Sequence, residues 1–324
     1  MGRFFSYFFT IIFLALIFAG AFLFHFAPTD KNSLTSISPL PDFLTLKKNS
    51  QVRFLDLWFP SVEKTHGSGF DVADLTAKSV LMYDLTTDKI IYEKNADEKL
   101  PMASLTKMMT AIIAMENPRK DDRYVIKGEY LVGEDSMGLT VGEILSREEL
   151  LYGLMLPSGN DAAEALAGSY SEGRSGFIKA MNDKAKAMGL ENTSFDNPSG
   201  LQGDGIQYTT VSDLLVIARY ALENYPLFRQ IVSEPEHFLP ATSEHKNYEL
   251  FNETNLLTTY DGVKGIKTGY TPEAGLCLAT YLEYKGHKII GIILNSANRR
   301  GEMKELLDYS LKSLGITPPV FRGE

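Results

Sequence analysis

Apolar and polar positions divide the chain into three stretches. Residues 4–26 are apolar or uncharged throughout apart from His25, with Arg3 before them and Asp30 and Lys31 after them. This run of 23 residues matches the ~20 that cross a bilayer and exceeds the ~7–15 of a signal-peptide core. The flank Phe24-His25-Phe26-Ala27-Pro28 lacks a small-residue cleavage pattern. The expectation is therefore an uncleaved transmembrane signal anchor over 1–27, single-pass, with Arg3 holding the N-terminus in the cytoplasm and the remainder outside the cell membrane. Residues 28–70, where Ser, Pro, Lys and Gly recur, read as an extracytoplasmic tether. The patch Phe54-Leu55-Asp56-Leu57-Trp58-Phe59 interrupts it and suits either packing on the domain or a membrane interface.

From 71 to 315 the pattern is that of one folded domain, followed by a short tail, 316–324. Residues 79–84 and 90–93 are β-rich runs around Thr86-Thr87-Asp88, which predicts a hairpin. Pro101 opens an amphipathic helix of about 15 residues through Met108, Ala111, Ile112 and Met115, stopping before Pro118. Ser146 and Glu149 form a capping-box pattern for a helix that ends at Pro157. An alanine-rich stretch runs over 161–167. Phe177, Met181, Ala185 and Met188 follow helical spacing up to Gly189, and Thr210 with Asp213 caps a helix through Leu222. Strands return at 263–270, 276–283 and 288–295, the last two flanking the turn Lys285-Gly286-His287, and a helix closes the domain from Arg299 to Leu314. Strands at both ends with helices between them predict a mixed α/β fold. Its antiparallel sheet would have about five strands, built from both ends, covered by helices and carrying a helical insertion.

The chain has 324 residues, 44% hydrophobic and 23% charged, an ordinary globular composition. Its net charge of -9 argues against a nucleic-acid partner. Cys277, the one cysteine, lies in an apolar run and reads as a buried core residue. The five histidines, His25, His66, His237, His245 and His287, show no close metal-ligand spacing and lie outside the motifs below. A Ser-His-Asp hydrolase or a zinc peptidase is thereby disfavoured, and no metal or other cofactor is called for.

Three short motifs carry chemistry. In Ser104-Leu105-Thr106-Lys107, at the start of a predicted helix, a spacing of three puts the hydroxyl and the amine on one face. Ser104 would gain from the positive end of the helix dipole. A serine needs a base within hydrogen-bond reach, and Lys107 is one only where burial or a second cation depresses its pKa. In Ser158-Gly159-Asn160, between two predicted helices, Ser158 can relay a proton while Asn160 donates to a carbonyl and accepts from a lysine. In Lys267-Thr268-Gly269, on a predicted strand, the lysine supplies positive charge for a carboxylate, Thr268 a hydrogen bond, and Gly269 close backbone approach. Taken alone, each motif reads more readily as a surface pair, a capping turn or an edge strand. Their order and contexts together match a signature of serine acyl-transfer enzymes.

With Ala103-Ser104-Leu105-Thr106-Lys107-Met108-Met109-Thr110, Ser158-Gly159-Asn160-Asp161-Ala162-Ala163, Phe177-Ile178-Lys179-Ala180-Met181-Asn182 with Thr193-Ser194-Phe195, and Gly262-Val263-Lys264-Gly265-Ile266-Lys267-Thr268-Gly269-Tyr270-Thr271, the chain resembles the D-alanyl-D-alanine carboxypeptidases, the low-molecular-mass penicillin-binding proteins, over roughly 75–315. The resemblance implies a penicillin-binding/β-lactamase-like fold and removal of the terminal D-alanine from peptidoglycan pentapeptides. It implies Ser104 as nucleophile, Lys107 as general base, and Ser158 as proton relay to the leaving D-alanine. Asn160 would orient the substrate amide, Lys267 and Thr268 would hold the terminal carboxylate, and the backbone N–H groups of Ser104 and Tyr270 would form the oxyanion hole. It implies that β-lactams acylate Ser104 as slow covalent inhibitors. Many members also carry a C-terminal β-rich domain and an anchoring helix. Here about ten residues follow Leu314, so the N-terminal segment is expected to do the anchoring. Where some members have an arginine before Leu-Leu, this chain has Asn255; Arg299 or Arg300 is the alternative source of charge, either being otherwise a plain helix-start residue. A class A β-lactamase would need a deacylating glutamate after the second motif, but Glu191-Asn192-Thr193-Ser194-Phe195 lacks a Glu-x-x-Leu-Asn pattern and the motif is Ser-Gly-Asn rather than Ser-Asp-Asn. An inactive peptidoglycan-binding module would not need Ser104, Lys107 and Lys267 together.

Overall fold

The computed structural model describes residues 58, 60–63, 74–202, 205 and 207–322. The apolar run at 4–26 and most of the expected tether lie outside these residues. Among the described residues no helix is long and apolar enough to cross a membrane.

Strands β1 (Ser79–Asp84) and β2 (Lys89–Lys94) form the expected hairpin. After a helical middle come β3 (Tyr124–Val125) and β4 (Ile144–Leu145), which pair with each other, and the hairpin β5 (Glu236–Leu239) and β6 (Tyr248–Phe251). Then follow β7 (Val263–Thr271), β8 (Gly275–Tyr284) and β9 (His287–Ser296). The main sheet has the order β2-β1-β9-β8-β7 and is antiparallel throughout. It is closed by pairing of the first strand with the last, from Ser79 opposite Leu294 to Asp84 opposite Ile289. The five-strand sheet expected from both chain ends is thus present.

Alternation along the strands sorts two cores. Leu81, Tyr83, Ile290, Ile292 and Leu294 face a large cluster under the inserted helices. Val80, Met82, Ile289 and Ile293 face Met303, Leu306, Leu307 and Leu311 of the final helix on the other side. The helices are α1 (Lys107–Glu116), α2 (Arg147–Met155), α3 (Asn160–Gly168), α4 (Gly173–Ala187), α5 (Val211–Asn224), α6 (Pro226–Ser233), the single turn α7 (Leu256–Thr259) and α8 (Arg299–Ser313). Local signals set most of their ends. Ser146 caps α2 in a complete capping box with Glu149, and the Thr210 side chain accepts from Asp213 N at the start of α5.

One expectation is amended. The helix after Pro101 begins as a 3-10 turn, Ala103–Thr106, and becomes α-helical only at Lys107. Ser104 therefore sits one turn ahead of α1 rather than in it. The tail after 315 lies on the domain: Ile316 and Phe321 pack on the second core, and Arg322 N donates to Thr259 O. Within the expected tether, Trp58 packs edge-on to Tyr83 with centroids 5.5 Å apart, and Ile90 N donates to Glu63 O. Trp58, the one described residue of the 54–59 patch, thus lies against the domain.

Glu302 ties the two ends together. This buried carboxylate accepts from Thr76 N, from Thr76 Oγ1 at 2.7 Å, from Ala77 N at 3.3 Å and from Ser296 Oγ at 2.6 Å. Replacing Glu302 with Ala leaves these donors unpaired and is expected to destabilise the domain by ~2–3 kcal/mol, read as a lowered denaturation midpoint with an unchanged slope in urea.

Candidate active site

The 3-10 turn that carries Ser104 is pinned from two sides by glycines. A Cβ on Gly200 would lie 2.0 Å from Ala103 O, and one on Gly269 would lie 3.1 Å from Ser104 N. Larger residues at these positions would push the loop after α4, or strand β7, off the turn. Ala103 itself has φ +48, a strained value for a residue with a side chain.

Lys107, the first residue of α1, is 0% exposed. Its Nζ lies 2.8 Å from Ser104 Oγ, 2.7 Å from Asn160 Oδ1 and 2.8 Å from Ser199 O. Burial holds its pKa well below that of an ordinary lysine, and the charge of Lys267 pushes it lower still. Two of the three neighbours, an amide oxygen and a backbone carbonyl, can only accept. A neutral amine satisfies them with its two N–H bonds, which leaves its lone pair for Ser104.

Asn160 opens α3, and its N–H donates to Asp135 O. The next residue, Asp161, gathers the 136–139 loop by accepting from Ser136 Oγ at 2.5 Å and from the N–H groups of Met137, Gly138 and Leu139. Ser158 is 1% exposed, has φ +63, and its Oγ has no hydrogen-bond partner among the described residues. A strained backbone that carries a buried, unpaired hydroxyl is a mark of a functional position.

On β7, Lys267 is 1% exposed. Burial lowers its pKa to about 8, with Glu253 opposing the shift and Arg299 adding to it. Thr268 Oγ1 donates to Glu253 Oε2 at 2.8 Å, and that carboxylate lies 3.7 Å from Lys267 Nζ. Gly269 O accepts from Arg299 at 2.6 Å. The Tyr270 side chain is exposed, while its backbone pairs with Leu276 in the sheet. Of the two arginines weighed from sequence, Arg299 reaches this strand; Arg300 stacks near Phe321 instead.

The fold thus brings Ser104, Lys107 and Asn160 into direct contact, with Gly269 packed on the serine turn. Sequence reasoning missed three participants. Ser199 O carried no sequence signal, being a backbone atom. It is aimed by Asn197, whose Oδ1 accepts from Ser199 N and Gly200 N. Asp161 stands in the sequence only as a member of the segment 158–163. Glu253 lies two residues before Asn255, and its charge is opposite to that of the arginine some members carry there. A cavity of about 580 Å³, lined in part by Tyr130, Glu164, Arg174, Asn197, Ser199 and Leu201, shares Ser199 with the surroundings of Lys107 but none of Ser104, Lys107 and Asn160 themselves.

Cys277 is buried, and its pKa is pushed up to about 11 by burial. His237 stacks on Tyr152, His245 bonds Glu149 and His287 bonds Asp84, while His25 and His66 lie outside the described residues. Among the described residues no acidic, histidine or cysteine cluster has metal-binding geometry.

The sequence profile of the D-alanyl-D-alanine carboxypeptidases, peptidase family S11, matches residues 65–298. The chain belongs to this family. The family is described as D-alanyl-D-alanine carboxypeptidase. It is 33% identical over 257 residues to the carboxypeptidase DacF of Bacillus subtilis, a match spanning 76% of this chain and 65% of that relative's length. The Streptomyces K15 DD-transpeptidase structure superposes with a TM-score of 0.70 at 32% identity, over 75% of this chain and 100% of that one. Penicillin-binding protein D2 of Listeria monocytogenes, in its ampicillin-bound form, gives 0.65 at 27% identity over 74% and 98%. The fold is accordingly that of the penicillin-binding DD-peptidases. Members of the family act on peptidoglycan, which implies a catalytic domain outside the cytoplasm.

The two buried amines make a direct test of the site's electrostatics. In Lys267→Gln the Lys107 pKa is expected to rise, because a neighbouring positive charge has been removed. Lysine side-chain NMR titration of wild type and variant reads the shift.

Proposed function

We propose that this chain is a serine D-alanyl-D-alanine carboxypeptidase that removes the terminal D-alanine from peptidoglycan stem peptides through an acyl-enzyme on Ser104. The observation that carries the reading is the Lys107 amine, buried, depressed in pKa and 2.8 Å from Ser104 Oγ. Ser104 Oγ attacks the carbonyl of the penultimate D-alanine as its proton passes to Lys107 Nζ. The backbone N–H groups of Ser104 and Tyr270 receive the developing oxyanion. The C–N bond then breaks as Ser158 Oγ gives its proton to the departing amine and takes one from Lys107 Nζ, which leaves Lys107 neutral again. Water loses a proton to Lys107 and attacks the ester, and Lys107 returns that proton to Ser104 Oγ as the C–O bond breaks. Asn160 holds Lys107 and meets the substrate amide. Lys267 and Thr268 bind the terminal carboxylate, with the Arg299 charge close behind.

A β-lactam with a carboxylate beside its acylating carbonyl fits the same groups and would remain as a slow ester. Glu191, the glutamate weighed as a deacylating base, is exposed in a turn, which favours the carboxypeptidase over a β-lactamase. The apolar run 4–26 supports a catalytic domain, 71–315, anchored to the outer face of the cell membrane by a single N-terminal span.

Incubation with a pentapeptide ending in D-alanyl-D-alanine is expected to release D-alanine, and Ser104→Ala to lower that release at least ~1,000-fold. Equal release by both proteins would refute the reading. The pH dependence of kcat/KM, which reports the free enzyme, is expected to be a bell. Its acid limb is protonation of Lys107. Its alkaline limb lies near 8, where Lys267 loses the charge that binds the carboxylate. Lys267→Arg is expected to flatten the alkaline limb, since a guanidinium keeps its charge there.

A further inference from the structure

The two side chains proposed to hold the substrate's terminal carboxylate already hold a carboxylate. Glu253 Oε2 accepts from Thr268 Oγ1 at 2.8 Å and lies 3.7 Å from Lys267 Nζ. Its backbone is firmly set. Glu253 N donates to Leu156 O, and the flanking Asn252 side chain donates to Val232 O and Glu234 O while accepting from Thr254 N. Its side chain is different: 39% exposed, against 1% for Lys267. It can rotate toward water once another anion takes its place beside Lys267.

The charge balance explains why it is there. A buried ammonium without a counter-ion is strongly disfavoured, and Glu253 supplies the anion when no substrate is present. The same arrangement opposes a second anion. Thr268 has one O–H and can donate it to one carboxylate at a time. Two carboxylates sharing Lys267 would also repel each other at close range.

We propose that Glu253 is the resident counter-anion of the carboxylate subsite, a specificity-determining residue that the C-terminal carboxylate of a substrate displaces from Thr268 and Lys267. The inference rests on the assignment of those two residues as carboxylate anchors. Its consequence is that affinity for anionic C-termini is set by an exchange of one carboxylate for another, not by entry into an empty cationic site. Selectivity for a free carboxylate over a neutral end group is correspondingly compressed.

The test compares wild type, Glu253→Gln and Glu253→Ala on two peptides, one ending in D-alanyl-D-alanine with a free carboxylate and the other its C-terminal amide. Acylation by a fluorescent penicillin is followed in parallel. In both variants KM for the free-acid peptide is expected to fall roughly 5- to 10-fold, with kcat moving much less. Penicillin acylation should accelerate, and the amide peptide should change little. A rise in KM, a loss confined to kcat, or equal shifts for both peptides would overturn the inference, since each would mean that Glu253 positions Thr268 and Lys267 for catalysis instead of competing for them. Unchanged variants beside an active wild type would sink this inference alone. A wild type that neither releases D-alanine nor takes up penicillin at Ser104 would overturn both it and the functional reading.

Discussion

Three oxygens crowd the amine of Lys107, and only the one on Ser104 carries a proton to give. Removed from water, this amine loses much of its affinity for a proton, and the neighbouring Lys267 lowers it further. What is left is a neutral base whose orientation is dictated by its surroundings. Asn160 Oδ1 and Ser199 O take its two N–H bonds, and the lone pair has one place to go. Much of the rest of the site serves that geometry. Gly200 and Gly269 let two backbones close on the serine turn. Asn197 aims the Ser199 carbonyl, and Thr110 Oγ1 holds the same loop at Pro198 O.

The architecture delivers the second cation independently of the first. Lys107 and Asn160 belong to the helical insertion, whereas Lys267 belongs to the edge strand of a sheet whose opposite edge comes from the other end of the domain sequence. Pairing of β1 with β9 joins those ends. Arg299 then reaches Gly269 O from the start of α8, the helix whose apolar face covers the sheet on the side away from the insertion. The electrostatics of the cleft therefore depend on a sheet that the local sequence around Ser104 does not contain. Glu253 adds an anion that accepts from β7's threonine and lies 3.7 Å from its lysine. It tempers a subsite that would otherwise be an unbalanced buried charge.

The elements that sequence reasoning identified were those with a local signal long enough to be periodic or chemically capped. The five sheet strands, the capping box at Ser146 and the Thr210 cap are of this kind. The pairs β3–β4 and β5–β6 are too short, two and four residues per strand, to show a period above background. The first turn of the nucleophile segment was read as α-helix because Pro101 and the following apolar spacing favour one. Instead β7 and the 197–202 loop press on it, and it adopts the tighter 3-10 form.

The sequence by itself determined which chemical groups are present and how they stand within one turn of helix or strand: Ser104 three residues from Lys107, Ser158 two from Asn160, Lys267 beside Thr268. Those relations follow from fixed backbone periods. Only the tertiary structure decided what state these groups are in. Lys107 meets Ser199 across 92 residues, and Thr268 meets Glu253 across 15. Burial, charge balance and the direction of a lone pair are properties of everything that surrounds an atom, and almost none of those surroundings are its neighbours in the chain.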